Sequence, residues 1–167
     1  GIYTDVQGNC YPKIDLDACV SCHKCERVCP VLATGETELE YPKKAYAVWS
    51  LDDTCRKASA SGGAAAELYR TALEQNWWIC GAAYADEFHV KHVLTKNPDM
   101  IAAFQKSKYV YSEIDTVYAE IKEKLEQKEN VLFISLPCKI AGLKKYLGKQ
   151  YEGLVTVDIV CHGTPPY

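Results

Sequence analysis

Of the nine cysteines in this 167-residue chain, four fall at Cys19, Cys22, Cys25 and Cys29, with Pro30 directly after them. Nine is an odd number, so a closed disulfide framework does not account for them. Thiolates are soft metal ligands, and the spacing Cys-x2-Cys-x2-Cys-x3-Cys-Pro is that of a [4Fe–4S] cluster site. Three thiolates on one tight loop wrap a corner of the cluster. The loop's N–H groups face the sulfides and offset the negative charge, and the fourth Cys, turned by the proline, reaches elsewhere. Structural zinc is the competing chemistry. Zinc sites pair two Cys-x2-Cys units across a spacer of roughly a dozen residues or more, which this run lacks.

In the two-cluster ferredoxin pattern the fourth Cys serves the other cluster. Cys29 then belongs with ligands earlier than this chain provides, and Cys10 is a lesser candidate for a substitute. The chain starts at Gly1 and its one methionine is Met100. The expectation is a fragment cut at both ends, with a second cysteine run upstream.

Two further cysteines sit where α/β folds do chemistry. Cys138 follows Pro137 at a predicted helix N-terminus, which stabilises a thiolate. Cys161, in Cys161-His162-Gly163, follows a predicted strand. Neighbouring parallel strands bring both to the rim beyond the strands' carboxyl ends, where ligands bind, and metal ligation or redox work is the reading. Two ligands do not hold a cluster, so others would come from beyond Tyr167. Cys55 and Cys80 read as bystanders.

Arg56-Lys57-Ala58-Ser59-Ala60-Ser61-Gly62-Gly63 also precedes a helix. Its hydroxyls, glycines and outward N–H groups suit a phosphate or pyrophosphate, or else a plain serine cap with glycines in the turn. Lys108, in Ser107-Lys108-Tyr109, could place a cation near a phosphate or simply lie on the surface. His92 reads as a satisfied core histidine, and Asp158 as a buried carboxylate needing a partner.

The elements that must position these residues alternate. The pattern predicts strands over 45–49, 77–84, 88–95, 131–136 and 154–160, the last two buried on both faces. It predicts helices over 64–75, from Asn97 and Pro98 to about 106, from an Asp115 cap onward, and from Pro137 to 147. Thr34 to Glu38 is a polar linker. The fold class is α/β, a mostly parallel sheet with flanking helices, preceded by a partial ferredoxin-like [4Fe–4S] module. Residues 1–42 form the module and 43–167 the α/β domain. A net charge of −3 and pI of about 5.8 give no electrostatic support for nucleic acid. Apolar runs fall short of the roughly 20 residues a membrane span needs, and no signal peptide is visible, so a cytoplasmic location is expected.

Several pieces in order resemble the coenzyme F420 hydrogenase/dehydrogenase beta subunits. They are Gly8 to Asp15 before the cysteine run, Arg56 to Gly63, Ser107-Lys108-Tyr109 with Ser112, Pro137 to Leu143, and Asp158 to Gly163. The resemblance implies FAD beside ferredoxin-type clusters and a further [4Fe–4S] site near the flavin. Ser59, Ser61, Gly62, Gly63 and Lys108 would line the flavin site. Cys138 and Cys161 would ligate the inner cluster, with a later Cys-x2-Cys. Three positions depart from the pattern: Lys139 where Gln is usual, Leu136 where a small residue is usual, and Tyr111 where Gln is common.

The function expected is an iron–sulfur flavoprotein oxidoreductase passing electrons between [4Fe–4S] clusters and FAD, with a redox partner protein or subunit and a small-molecule carrier such as a deazaflavin. A non-enzymatic ferredoxin-type carrier that docks a partner is the alternative. A zinc-stabilised interaction module is the third.

Overall fold

Side-chain alternation along one strand decides which helices lie on which side. In the computed structural model, which describes residues 2–29, 32 and 42–163, all five residues of β6 (Val131–Ser135) are buried. Val131 and Phe133 face a core with Val117, Ile121 and Leu125 of α5 (Val117–Glu126) and Ile140, Leu143 and Leu147 of α6 (Pro137–Leu147). Leu132 and Ile134 face the other way, onto Ala66, Tyr69 and Ala72 of α3 (Ala64–Glu74) and Ile101 of α4 (Met100–Phe104). A two-residue period in a strand produces this division, and the result is helix layers on both faces of one sheet.

The sheet runs β5 (Ser112–Glu113), β4 (Val90–Thr95), β3 (Trp78–Tyr84), β6, β7 (Leu154–Asp158). Only β3 and β4 pair antiparallel; the other three pairings are parallel, so the mostly parallel sheet expected from the sequence is present. The N-terminal part holds a small antiparallel pair, β1 (Ile2–Thr4) with β2 (Cys10–Pro12), then α1 (Lys24–Val28). Pro30, the 34–38 linker, residues 164–167 and the side chain of Cys10 lie outside the described residues.

Several expected elements are corrected. Residues 45–49 are not a strand. Tyr46, Val48 and Trp49 are exposed, and the Ser50 N–H donates to Gly62 O at 2.7 Å, so this segment braces a turn instead of joining the sheet. β4 begins at Val90, because Asp86 accepts from the N–H groups of Phe88 and His89 and draws both into the hairpin turn. Asn97 accepts from Asp99 N–H in a turn, and α4 starts only at Met100; it stops before Lys106, whose φ is 64°. Asp115 does not cap α5; it sits at φ 44°, and Thr116 takes the cap position. β7 is an edge strand, not one buried on both faces. It ends at Asp158, which is exposed and needs no buried partner.

Candidate metal centres and phosphate-binding turn

The cysteine run lies on a loop that coils into α1. Ser21 and His23 take left-handed φ values of 49° and 56° on either side of Cys22. Alternating handedness turns successive N–H groups toward one side, the arrangement from which anion-binding nests at iron–sulfur sites are built. Cys19, Cys22 and Cys25 are exposed free thiols, and Cys29 is half-buried and free. Around them, Arg27 donates to Cys22 O at 3.0 Å and His23 Nδ1 meets Glu26 at 3.0 Å. Among the described residues no three His, Cys, Asp or Glu side chains converge on a single-ion site. A [4Fe–4S] cluster asks for a different geometry, since each thiolate binds its own iron. Four free thiols within eleven residues, on a nest-like loop, are the donor chemistry such a group takes.

Helix α1 packs against α6. That contact joins the cysteine module to α6, which carries Cys138 exposed at its second position. No side chain caps that helix start, where Leu136 takes the cap position ahead of Pro137. Cys161 is also exposed, three residues past the end of β7, and accepts from Gly163 N–H at 3.3 Å. Because β6 and β7 pair in parallel, Cys138 and Cys161 follow the carboxyl ends of neighbouring strands.

A cavity of about 310 Å³ opens between α1, α5 and α6, lined by Val28, Tyr111, Leu136, Cys138 and Lys139 among others. Leu136, Lys139 and Tyr111, the three departures from the sequence pattern, therefore meet at one place. Lys139 is 7% exposed; its ammonium donates to Ser112 O and lies 4.4 Å from the centroid of the Tyr111 ring. Burial lowers its pKa, while the Cys138 and Glu113 charges oppose that shift.

Behind the cavity lies His92, 4% exposed, with Nδ1 3.3 Å from Glu113 O and Nε2 2.8 Å from Ser135 Oγ. A carbonyl only accepts, so Nδ1 carries the proton and Nε2 accepts from the serine. Desolvation, then the Lys139 charge, push the His92 pKa down to about 4. This is the satisfied core histidine expected from the sequence.

The Ser59–Gly63 turn follows α2 (Asp53–Ala58) and precedes α3. Gly62 and Gly63 both have positive φ, at 73° and 81°. A Cβ on Gly62 would lie 3.0 Å from Trp49 Cβ, and one on Gly63 would touch Ser50, Cys55 and Ser59. The glycines are thus needed by the loop's own packing, a reason the sequence reading did not contain. Gly63 is the cap residue of α3 and offers no side-chain bond, which leaves the first-turn N–H groups of an 11-residue helix uncapped. Ser59 is half-buried and accepts from Gln105 Nε2 at 3.0 Å, while Lys108 donates to Gln105 O at 2.8 Å. Gln105 therefore brings Ser59 and Lys108 together. Burial lowers the Lys108 pKa. An uncapped helix start with a tethered cation fits a phosphate-bearing group. Gln105 went unnoticed in the sequence because no motif marks it.

Residues 45–118 match the family described as coenzyme F420 hydrogenase/dehydrogenase, beta subunit N-terminal, and residues 12–33 match a 4Fe–4S binding domain. Among solved structures, the chain is similar to one from the F420-reducing [NiFe] hydrogenase complex of Methanosarcina barkeri, obtained by xenon derivatization. The TM-score is 0.56 at 21% identity, covering 74% of this chain and 47% of that one. At that identity the likeness is one of fold, and the chain spans about half that relative's length. No curated protein matches the chain. Among the described residues no helix is long and apolar enough to cross a membrane.

Proposed function

We infer, for a chain whose residues 45–118 match the coenzyme F420 hydrogenase/dehydrogenase beta subunit N-terminal family and whose residues 12–33 match a 4Fe–4S binding domain, that it works in an iron–sulfur flavoprotein oxidoreductase. The packing of α1 on α6 carries this reading, because it sets the cysteine run against the helix that presents Cys138. Cys19, Cys22, Cys25 and Cys29 would hold ferredoxin-type cluster irons, and Cys138 and Cys161 part of an inner [4Fe–4S] site. Ser59, Ser61, Gly62, Gly63 and Lys108 would line an FAD site. When bound, such clusters carry single electrons and flavin couples them to two-electron chemistry.

The chain's own residues bind and orient. The uncapped start of α3 offers N–H groups to a pyrophosphate, and Lys108 supplies positive charge held in place by Gln105 O. A partner subunit and a diffusible carrier, a deazaflavin among the candidates, would stand at the two ends of the electron path in the cytoplasm. The solved relative comes from a hydrogenase complex, which supports partner subunits.

A second reading has its own observation. Packing against Trp49 and Ser50 explains Gly62 and Gly63 without any phosphate, as it would in a ferredoxin-type carrier with a structural α/β domain. Lys108→Met separates the two. It removes a charge that ion-pairs with no carboxylate among the described residues. FAD content falling in the variant while sulfide stays constant supports the flavoprotein. A wild type without flavin supports the carrier.

A further inference from the structure

We propose that the cavity between α1, α5 and α6 seats a planar three-ring heterocycle of the flavin type, carried by the ligand whose phosphates meet the start of α3. This rests on the reading that the Ser59–Gly63 turn takes a phosphate-bearing group. The first observation is the lining. Tyr111, Tyr118 and Tyr146 stand with Ile114 and Leu136 around about 310 Å³. Small-molecule sites of roughly 300–1,000 Å³ are mostly apolar, with a few polar groups that orient the ligand. This volume is at the lower end of that range, so it suits a ring system and leaves the rest of a dinucleotide outside. Lys139 is the orienting group. An ammonium has three donors, and the Ser112 carbonyl takes one. The Tyr111 ring, 4.4 Å away, and the Glu113 charge hold the ammonium in the wall, and a further N–H is left for a ring carbonyl. The tyrosines offer flat faces on which a planar ring stacks.

The second observation is the route between the two places. Tyr69 of α3 donates to Cys80 O of β3, and α3 turns directly into β3, so the helix start lies at the carboxyl end of that strand. β3 pairs in parallel with β6, and Leu136 of the cavity directly follows β6. Both places therefore lie at the rim where ligands of open α/β sheets bind. They lie on opposite faces of the sheet, so the ligand crosses the rim. Lys108 marks the crossing. It is tethered to Gln105 O and stands three residues before Tyr111, a span of at most about 11 Å of chain. The linker between pyrophosphate and ring in a flavin dinucleotide bridges such a gap.

The test is equilibrium dialysis of the full chain against FAD, ADP and lumiflavin, the last having the ring without phosphate. Ile114→Phe fills the cavity. It should weaken FAD and lumiflavin about tenfold or more and leave ADP unchanged. Lys108→Met should weaken FAD and ADP and leave lumiflavin unchanged. FAD held equally well by wild type and Ile114→Phe overturns the proposal. Should that variant fail to fold, competition on the wild type decides. Lumiflavin and ADP should bind together, and FAD should displace both. FAD that displaces ADP and leaves lumiflavin in place overturns the proposal and gives the cavity to a separate, diffusible ring. The phosphate reading fails separately, when wild type takes neither ADP nor FAD; lumiflavin binding that Ile114→Phe abolishes then still supports the ring site.

Discussion

Gln105 donates through Nε2 to Ser59 Oγ at 3.0 Å, and its main-chain carbonyl takes the Lys108 ammonium at 2.8 Å. One residue outside any motif thus ties together two positions 49 apart that the sequence reading placed at one site. Gln105→Leu breaks the first bond and leaves the second, which is main chain. If the site holds FAD, its affinity should fall roughly tenfold, the worth of about one hydrogen bond. Fluorescence titration with FAD measures this, and unchanged affinity would remove Gln105 from the site.

The buried His92 makes stability depend on pH. Its folded pKa, about 4, lies below the unfolded value of about 6.5. Between these values the unfolded chain binds more protons, so stability is present above pH 6.5 and drains as pH falls toward 4. The amount is on the order of 3 kcal/mol. His92→Gln should lower the melting temperature at pH 7.5 and flatten its fall between pH 6.5 and 4. An equally steep fall in the variant would assign the acid sensitivity to other groups.

Gly81 is fixed by close packing. A Cβ there would sit 2.3 Å from Tyr69 Oη and 2.9 Å from Phe104 Cγ, between two rings whose centroids are 5.1 Å apart. Tyr69 also donates to Cys80 O at 3.2 Å, so it does not move freely. Gly81→Ala should cost about 1–3 kcal/mol, the range for overpacking. Urea denaturation reads this, and a neutral result would mean that the rings shift easily.

Ser50 holds the segment before the glycine turn. It is buried and donates to Glu67 on α3 at 2.5 Å; Glu67 in turn pairs with Arg70 at 2.6 Å. These bonds hold the Glu67 carboxyl below its ordinary pKa, with Ser50 the largest cause. Ser50→Ala should destabilise by about 1 kcal/mol and speed proteolysis between residues 45 and 60. Protease resistance equal to wild type would show that the main-chain bonds of Ser50, to Gly62 O and from Arg56, anchor the segment.

The core elements were legible because their patterns were strong. The all-apolar run at 131–135 and the Pro137 start of α6 carry their signals locally, as does the Gly62–Gly63 start of α3. The 45–49 segment misled because Tyr46, Val48 and Trp49 look like strand residues but are exposed, and the next N–H, that of Ser50, bonds to Gly62 O in the turn. The cysteine run was legible as chemistry, since its spacing alone sets the ligand class. The role of Gln105 and the meeting of Tyr111, Leu136 and Lys139 at one cavity depend on tertiary contacts between residues 25 or more apart, which no local pattern encodes.

The central claim is that one protein holds both iron–sulfur clusters and a flavin. Its most direct test is a single assay series on protein purified without oxygen, with iron, acid-labile sulfide and acid-released FAD determined on the same sample. The account predicts iron and sulfide in near-equal amounts, with FAD present and lowered by Lys108→Met. Stoichiometric zinc without sulfide, or full sulfide with no FAD, would contradict it.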